Sequence, residues 1–114
     1  MSANATNECV SENLGGYVLV RLRGEVDLSW SQQVRRTILD ALGANHGVGV
    51  ELSEVSYIDS SGIAALVEGL QNAKTKGQRF GLVAVSKAVM AVLELARLDR
   101  VFPIFADVEA ARAA

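Results

Sequence analysis

The sequence holds one cysteine, one histidine and one proline. A lone cysteine cannot close an internal disulfide, and one Cys with one His cannot build a zinc site. No run of 18 apolar residues exists. The longest candidate, "FGLVAVSKAVMAVLELA", is interrupted by Ser86, Lys87 and Glu94, so no membrane-spanning helix and no membrane insertion are expected. The first residues, "MSANATNECVSEN", lack the apolar core of a signal peptide. Neither sign of charge dominates: 11 Lys and Arg stand against 13 Asp and Glu, a formal net charge of -2, which argues against a nucleic-acid partner. These absences predict a reduced, cytoplasmic protein with no metal and no cofactor.

What is present is the composition of one compact domain. The 114 residues suit a single domain that buries roughly two-thirds of its unfolded surface. Half of them are hydrophobic, too many for intrinsic disorder. Residues 1–7 read as a flexible N-terminus and 8–114 as the domain, with no internal repeat.

Strand and helix patterns alternate along the chain. In "YVLVRLRG" (17–24) Val18, Val20 and Leu22 face one way and Arg21 and Arg23 the other, the period of a strand with one wet face. "CVSENLGGY" before it predicts a hairpin turning at Gly15-Gly16. A first helix is expected from a Ser29/Gln32 capping box, with Trp30, Val34, Ile38, Ala41 and Leu42 inward and Gly43 as its C-terminal cap. "GANHG" reads as a loop and "VGVEL" (48–52) as a strand with Glu51 on its wet face. A second helix carries Ile63, Leu66, Val67 and Leu70 as an apolar stripe and ends near Lys76-Gly77. "RFGLVAV" (79–85) reads as a buried strand. Ser86 caps a third helix with Val89, Val92, Leu93 and Ala96 inward, and Asp107 caps a last short one. "RVFPIF" between them suits an edge strand, because proline cannot donate to a ladder. The class is therefore α/β, with helices on one side of the sheet.

Familiar chemistries find no support. His46 is the only histidine, and "DSSG" lacks the first glycine of a G-x-S-x-G nucleophile elbow. "GANHGVG" has no lysine or hydroxyl of a phosphate-binding loop. The distinctive stretch is "YIDSSG" at 57–62, two serines beside Asp59 where a strand meets a helix. Read alone, Ser60 and Ser61 are helix caps, or sites of modification. Past Gly62, Ile63, Ala64, Ala65, Glu68 and Gly69 read as a face of small residues onto which another surface can dock. Ala is also simply the best helix former, but a mid-helix glycine such as Gly69 costs about 1 kcal/mol against Ala.

"YIDSSGIAALVEGL", preceded by "VGVEL" and "LRGEVDLSW", resembles the STAS domain of bacterial anti-sigma factor antagonists. The resemblance spans residues 8–112 and includes "GEVD" at 24–27, "DSSG" at 59–62 and the tail "LELARLDRVFPIFADVEAA". It implies a small mixed sheet of four to five strands with helices packed on one face. It implies a partner switch: the unphosphorylated antagonist binds an anti-sigma factor that is also a serine kinase, phosphorylation releases it, and a PPM-type serine phosphatase resets it. The phosphate falls on Ser60, with Ser61 the weaker candidate, and Asp27 lies near it. The domain itself would not be an enzyme and would be a monomer when free. Soluble STAS subunits of ABC-type lipid transport complexes share the fold but often depart from D-S-S-G.

Overall fold

The structure, a computed structural model, describes residues 7–44 and 47–114. Among these residues nine elements follow one another: β1 (Glu8–Asn13), β2 (Tyr17–Val26), α1 (Leu28–Ala44), β3 (Gly47–Ile58), α2 (Ser60–Lys76), β4 (Arg79–Val83), α3 (Lys87–Leu95), β5 (Ile104–Phe105) and α4 (Val108–Ala113). The strands form one sheet in the order β1-β2-β3-β4-β5. β1 and β2 are the antiparallel hairpin expected around Gly15-Gly16, and the other pairings are parallel. Crossover helices between parallel strands must lie on a sheet face, and here they choose the apolar one.

Val18, Val20 and Leu22 on β2, Val48, Val50 and Leu52 on β3, and Phe80 and Leu82 on β4 form the floor of the core. Trp30, Val34, Ile38 and Leu42 of α1, Leu66 and Leu70 of α2, and Val89 and Leu93 of α3 cover it. The opposite face is divided. Toward the C-terminal ends of β2 and β3 it is wet, and Arg21 bridges Glu12 and Glu51 at 2.8 and 2.9 Å. Toward their N-terminal ends it is dry. There Tyr17, Leu19 and Val83 pack with Ala111 of α4, so this one short helix crosses to the second face. Gly47 and Gly49 make room for the Tyr17 ring: a Cβ at Gly49 would sit 2.6 Å from the Tyr17 hydroxyl.

Several boundaries differ from the sequence expectation. The cap of α1 is Asp27, whose carboxylate accepts the Ser29 N–H at 3.0 Å; Ser29 is already helical. Gly43 lies within α1 and does not end it. His46 falls outside the described residues. β3 runs past its expected end at Leu52 as far as Ile58, because Val55 and Ile58 keep contact with the core. β4 stops at Val83, where Ala84 takes a left-handed φ of 50°. α3 ends at Leu95, leaving Ala96 exposed. Gly77 (φ 68°), Ser86 and Asp107 cap their helices as expected.

The buried side of α2 is rotated from the predicted stripe. It consists of Gly62, Ala65, Leu66, Gly69, Leu70 and Ala73, while Ile63 and Val67 are half-buried. Small residues on this side let α2 lie close to α1 and the sheet. A Cβ at Gly69 would meet Ile38 Cγ2 at 2.8 Å and Phe80 Cε1 at 2.9 Å. Gly69→Ala should therefore destabilise the domain by about 1–3 kcal/mol despite the better helix propensity of Ala. Gly43→Ala, whose added methyl meets nothing within 4 Å, should be neutral or stabilising by under about 1 kcal/mol. Urea denaturation of the two variants checks the contrast; a destabilised Gly43→Ala beside an unaffected Gly69→Ala would contradict the packing described.

Candidate functional site

β2 and β3 run parallel and end together, Val26 opposite Ile58. The Asp59 N–H donates to the Val26 carbonyl at 3.1 Å, which locks the two ends side by side. One residue further, each chain segment starts a helix. Asp27 precedes α1 and Asp59 precedes α2, so two helix N-termini open at one edge of the sheet.

The two starts are built alike. Asp27 Oδ1 accepts the Ser29 N–H at 3.0 Å and the Ser29 hydroxyl at 2.6 Å. Asp59 Oδ1 accepts the Ser61 N–H at 2.9 Å, the Ser61 hydroxyl at 2.6 Å and the Gly62 N–H at 3.1 Å. Both are Asp-x-Ser starts in which the carboxylate satisfies helix N–H groups that have no partner within the helix. Asp59, not Ser60, is thus the cap of α2, which corrects the expectation from "DSSG". The middle residues, Leu28 and Ser60, are the first residues of their helices and are exposed, Leu28 by 72%. Ser60 makes no side-chain hydrogen bond among the described residues, whereas the half-buried Ser61 has its hydroxyl engaged.

Electrostatics follow from this cage. The Ser61 hydroxyl, with the backbone N–H groups of Gly62, Ser61 and Leu28, holds the Asp59 carboxyl below its ordinary value. The Leu28 contribution ties the α1 start to the α2 cap. Gly62 is required directly beneath: a Cβ there would lie 2.6 Å from Ile58 Cγ1 and 2.9 Å from the Val26 carbonyl oxygen.

The predicted docking face is only partly at the surface. Ala64 is exposed and Ile63 half-buried, but Ala65 and Gly69 point into the core. Glu68 is half-buried and spans to α1, where Arg35 donates to it at 2.7 Å and holds its carboxyl below the ordinary value. The face available beside Ser60 is therefore Ile63 and Ala64, together with Leu28 from α1. Leu28 is absent from the sequence expectation; the repeated Asp-x-Ser in "DLSW" and "DSSG" is the signal that places it. Among the described residues no cluster of His, Cys, Asp or Glu has the makings of a metal site, and no helix is long and apolar enough to cross a membrane.

The sign of the Asp59 shift makes a prediction. A carboxyl whose folded pKa is depressed stabilises the fold above its unfolded pKa and loses that contribution as pH falls through the folded value. Asp59→Asn should therefore be less stable than wild type at about pH 7, and the gap should narrow as pH falls below about 4. Urea titrations across that range check it; a gap that widens in acid would contradict the cap geometry.

A family model described as the STAS domain matches residues 8–111. The anti-sigma F factor antagonist of Paenibacillus polymyxa is 26% identical over 96 residues, 82% of each chain. Among solved structures, an anti-sigma factor antagonist from Mycobacterium paratuberculosis superposes with a TM-score of 0.87 at 24% identity, covering 99% of this chain and 97% of that one. SpoIIAA, a Bacillus cell fate determinant, is similar in its unphosphorylated form (TM-score 0.79, 24% identity, 91% and 92% covered). It is also similar in its phosphorylated form (TM-score 0.74, 24% identity, 93% and 97% covered). The structural likenesses carry the fold, and the family match runs from β1 into α4 across both helix starts: the chain belongs to the STAS-domain family.

Proposed function

We propose that this chain is an anti-sigma factor antagonist that works as a phosphorylation-controlled partner switch. Unphosphorylated, it docks an anti-sigma factor through the edge formed by Leu28, Ser60, Ile63 and Ala64. The anti-sigma factor is also the kinase: the γ-phosphoryl group of ATP passes to Ser60 Oγ, ADP leaves, and the hydroxyl proton goes to a base on the kinase. The phosphorylated chain lets go, and a PPM-type phosphatase restores it by hydrolysis. The names of the Paenibacillus and Mycobacterium relatives support the antagonist reading, and the existence of SpoIIAA in two phosphorylation states supports the switch.

One observation carries the choice of site. The Ser60 hydroxyl is exposed and makes no hydrogen bond among the described residues, while that of Ser61 is held at 2.6 Å by the cap of its own helix. Phosphorylating Ser61 would break that bond; phosphorylating Ser60 breaks none.

The same geometry explains why the switch would act on binding more than on folding. The N–H groups of Ser61 and Gly62 already have Asp59 as acceptor. A phosphate on Ser60 gains the helix's positive end but meets the charges of Asp59 and Asp27, terms of opposite sign. At the docking edge there is no such balance. About -1.5 to -2 charges enter a surface of one leucine, one isoleucine and one alanine. Burying them without a paired cation costs several kcal/mol, and each 1.4 kcal/mol is tenfold in affinity.

Ser60→Asp should keep its unfolding temperature within a few degrees of wild type yet bind the kinase partner roughly 100- to 1,000-fold more weakly by calorimetry. Binding as tight as wild type would sink the proposal. Intact-mass analysis after incubation with ATP and the kinase should show one added phosphate that disappears in Ser60→Ala and persists in Ser61→Ala; the reverse pattern would move the site.

A further inference from the structure

α1 and α2 leave the sheet edge side by side, and each carries a row of side chains away from it. On α1 the row is Leu28, Gln32 and Arg35, spaced i, i+4 and i+7; on α2 it is Ser60, Ala64 and Glu68, spaced i, i+4 and i+8. Residues so spaced follow one another along one face of a helix. Both rows begin at the proposed docking edge. They are joined at their third step, where Arg35 Nε donates to Glu68 Oε1 at 2.7 Å and Arg35 Nη2 stands 2.7 Å from Glu68 Oε2. Helical side chains lean toward the N-terminus, so the Glu68 arm reaches back toward Ala64, which is exposed and small. The ion pair is therefore continuous with the surface of Leu28, Ser60 and Ala64.

The pair differs from the others in the domain. Among the described residues the remaining ion pairs join strands on the wet face of the sheet, and this one alone joins two helices. Stability is a weak reason for it, because its two side chains stay 42% and 40% exposed and exposed pairs add little. α1 and α2 are already packed together where Gly69 meets Ile38. The two partners are also not equally engaged. Both Glu68 oxygens face Arg35, and the pairing holds the carboxyl below its ordinary value. Arg35 uses only the Nε and Nη2 side of a five-donor fork, and Nη1 has no partner among the described residues. An approaching surface thus meets N–H donors that Glu68 already holds in place, so less side-chain freedom is lost on contact than for a loose arginine.

We propose that Arg35 is the polar anchor of the docking face and that the anti-sigma factor presents a carboxylate to it. This rests on the docking edge proposed above and names the chemistry of the surface that matches it. The partner's carboxylate accepts from the Nη1 and Nη2 N–H groups that Glu68 leaves unused, the two-pronged geometry that arginine favours. Arg35 is the one cation in the two rows, so it also fixes the register of a contact that is otherwise apolar around Leu28, Ile63 and Ala64. A phosphate on Ser60 lies along the same helix face with the sign of that carboxylate and repels it.

Calorimetry against the kinase partner separates an anchor from a merely structural pair. Arg35→Gln and Glu68→Gln break the same intramolecular bond, and neither should move the unfolding temperature by more than a few degrees. Arg35→Gln should weaken binding about 30-fold, and Arg35→Lys, which keeps the charge without the fork, about tenfold. Glu68→Gln loosens the fork but leaves its charge and should cost only about threefold. Arg36→Gln makes the same charge change on the exposed neighbour outside the row and should stay within about twofold of wild type. Equal losses in Arg35→Gln and Glu68→Gln, equal losses in Arg35→Gln and Arg36→Gln, or wild-type affinity in Arg35→Gln would each overturn the inference. Ser60→Asp reports on the switch separately. Weak binding by Ser60→Asp beside normal binding by Arg35→Gln leaves the switch standing and removes the anchor; the reverse pattern removes the switch and keeps the anchor.

Discussion

The hydrogen bond from the Asp59 N–H to the Val26 carbonyl sets the terms for the functional edge. It closes the parallel ladder of β2 and β3 at its last step, and parallel strands that finish in register must launch their helices from the same place. Everything at that edge follows. The two aspartates fall one residue past the ladder and face inward onto their helices as caps. The residues after them are turned outward. α2 begins so close to the strand ends that only glycine fits at 62, with the Val26 backbone in the way of any Cβ. Slipping the register by one residue would put Ser60 in the cap and Asp59 in the strand, and the exposed hydroxyl would be lost.

The same sheet offers two different surfaces on its second face. The half toward the C-terminal ends of β2 and β3 is an exposed lattice of Arg21 and Arg23 among Glu8, Glu12, Glu51 and Glu54. Exposed pairs of this kind add little stability. Their use is to keep an uncovered face and the β1 edge from pairing with another chain. The other half needs cover because Tyr17 and Leu19 put apolar side chains on the second face, and α4 supplies it. Gly47, Gly49 and Gly81 thin the sheet where the two large rings, Tyr17 and Phe105, lie flat on it. Gly47, which the sequence reading places in the loop "GANHG", is a strand residue that the Tyr17 ring approaches closely.

How much of this the sequence displays depends on how local the cause is. Strand alternation, the Ser86 and Asp107 caps and the Gly77 terminator depend on neighbours within four residues, and all are readable. The caps of α1 and α2 fall one or two residues from the sequence expectation for a definite reason. Asp and Ser cap almost equally well, and "DLS" and "DSS" offer both. What decides is where the strand stops, and that depends on Val26 and Ile58 reaching the core, which is tertiary. Ala65 and Gly69 depart from expectation in the same way. Their smallness correctly signals a close neighbour, but the neighbour is α1 and Phe80 inside the domain, not a partner outside. α4 crossing to the second face has a sequence signal in the unbroken apolar run "YVLV", which a strand covered on one face does not need.

The cap arrangement also constrains what a modification at this edge can do. Had Ser60 been the cap, phosphate on its oxygen would have competed for the helix N–H groups and altered the α2 start itself. With Asp59 holding those groups, the first residue of the helix is left as a side chain whose chemistry can change without a hydrogen bond of the domain changing. Leu28, its counterpart on α1, carries no such handle and offers only apolar surface. One start of the pair can thus supply constant contact area while the other supplies a variable charge. On the proposed reading this division makes the switch reversible: affinity is altered at Ser60, and the structure that must be recognised again after dephosphorylation is never disturbed.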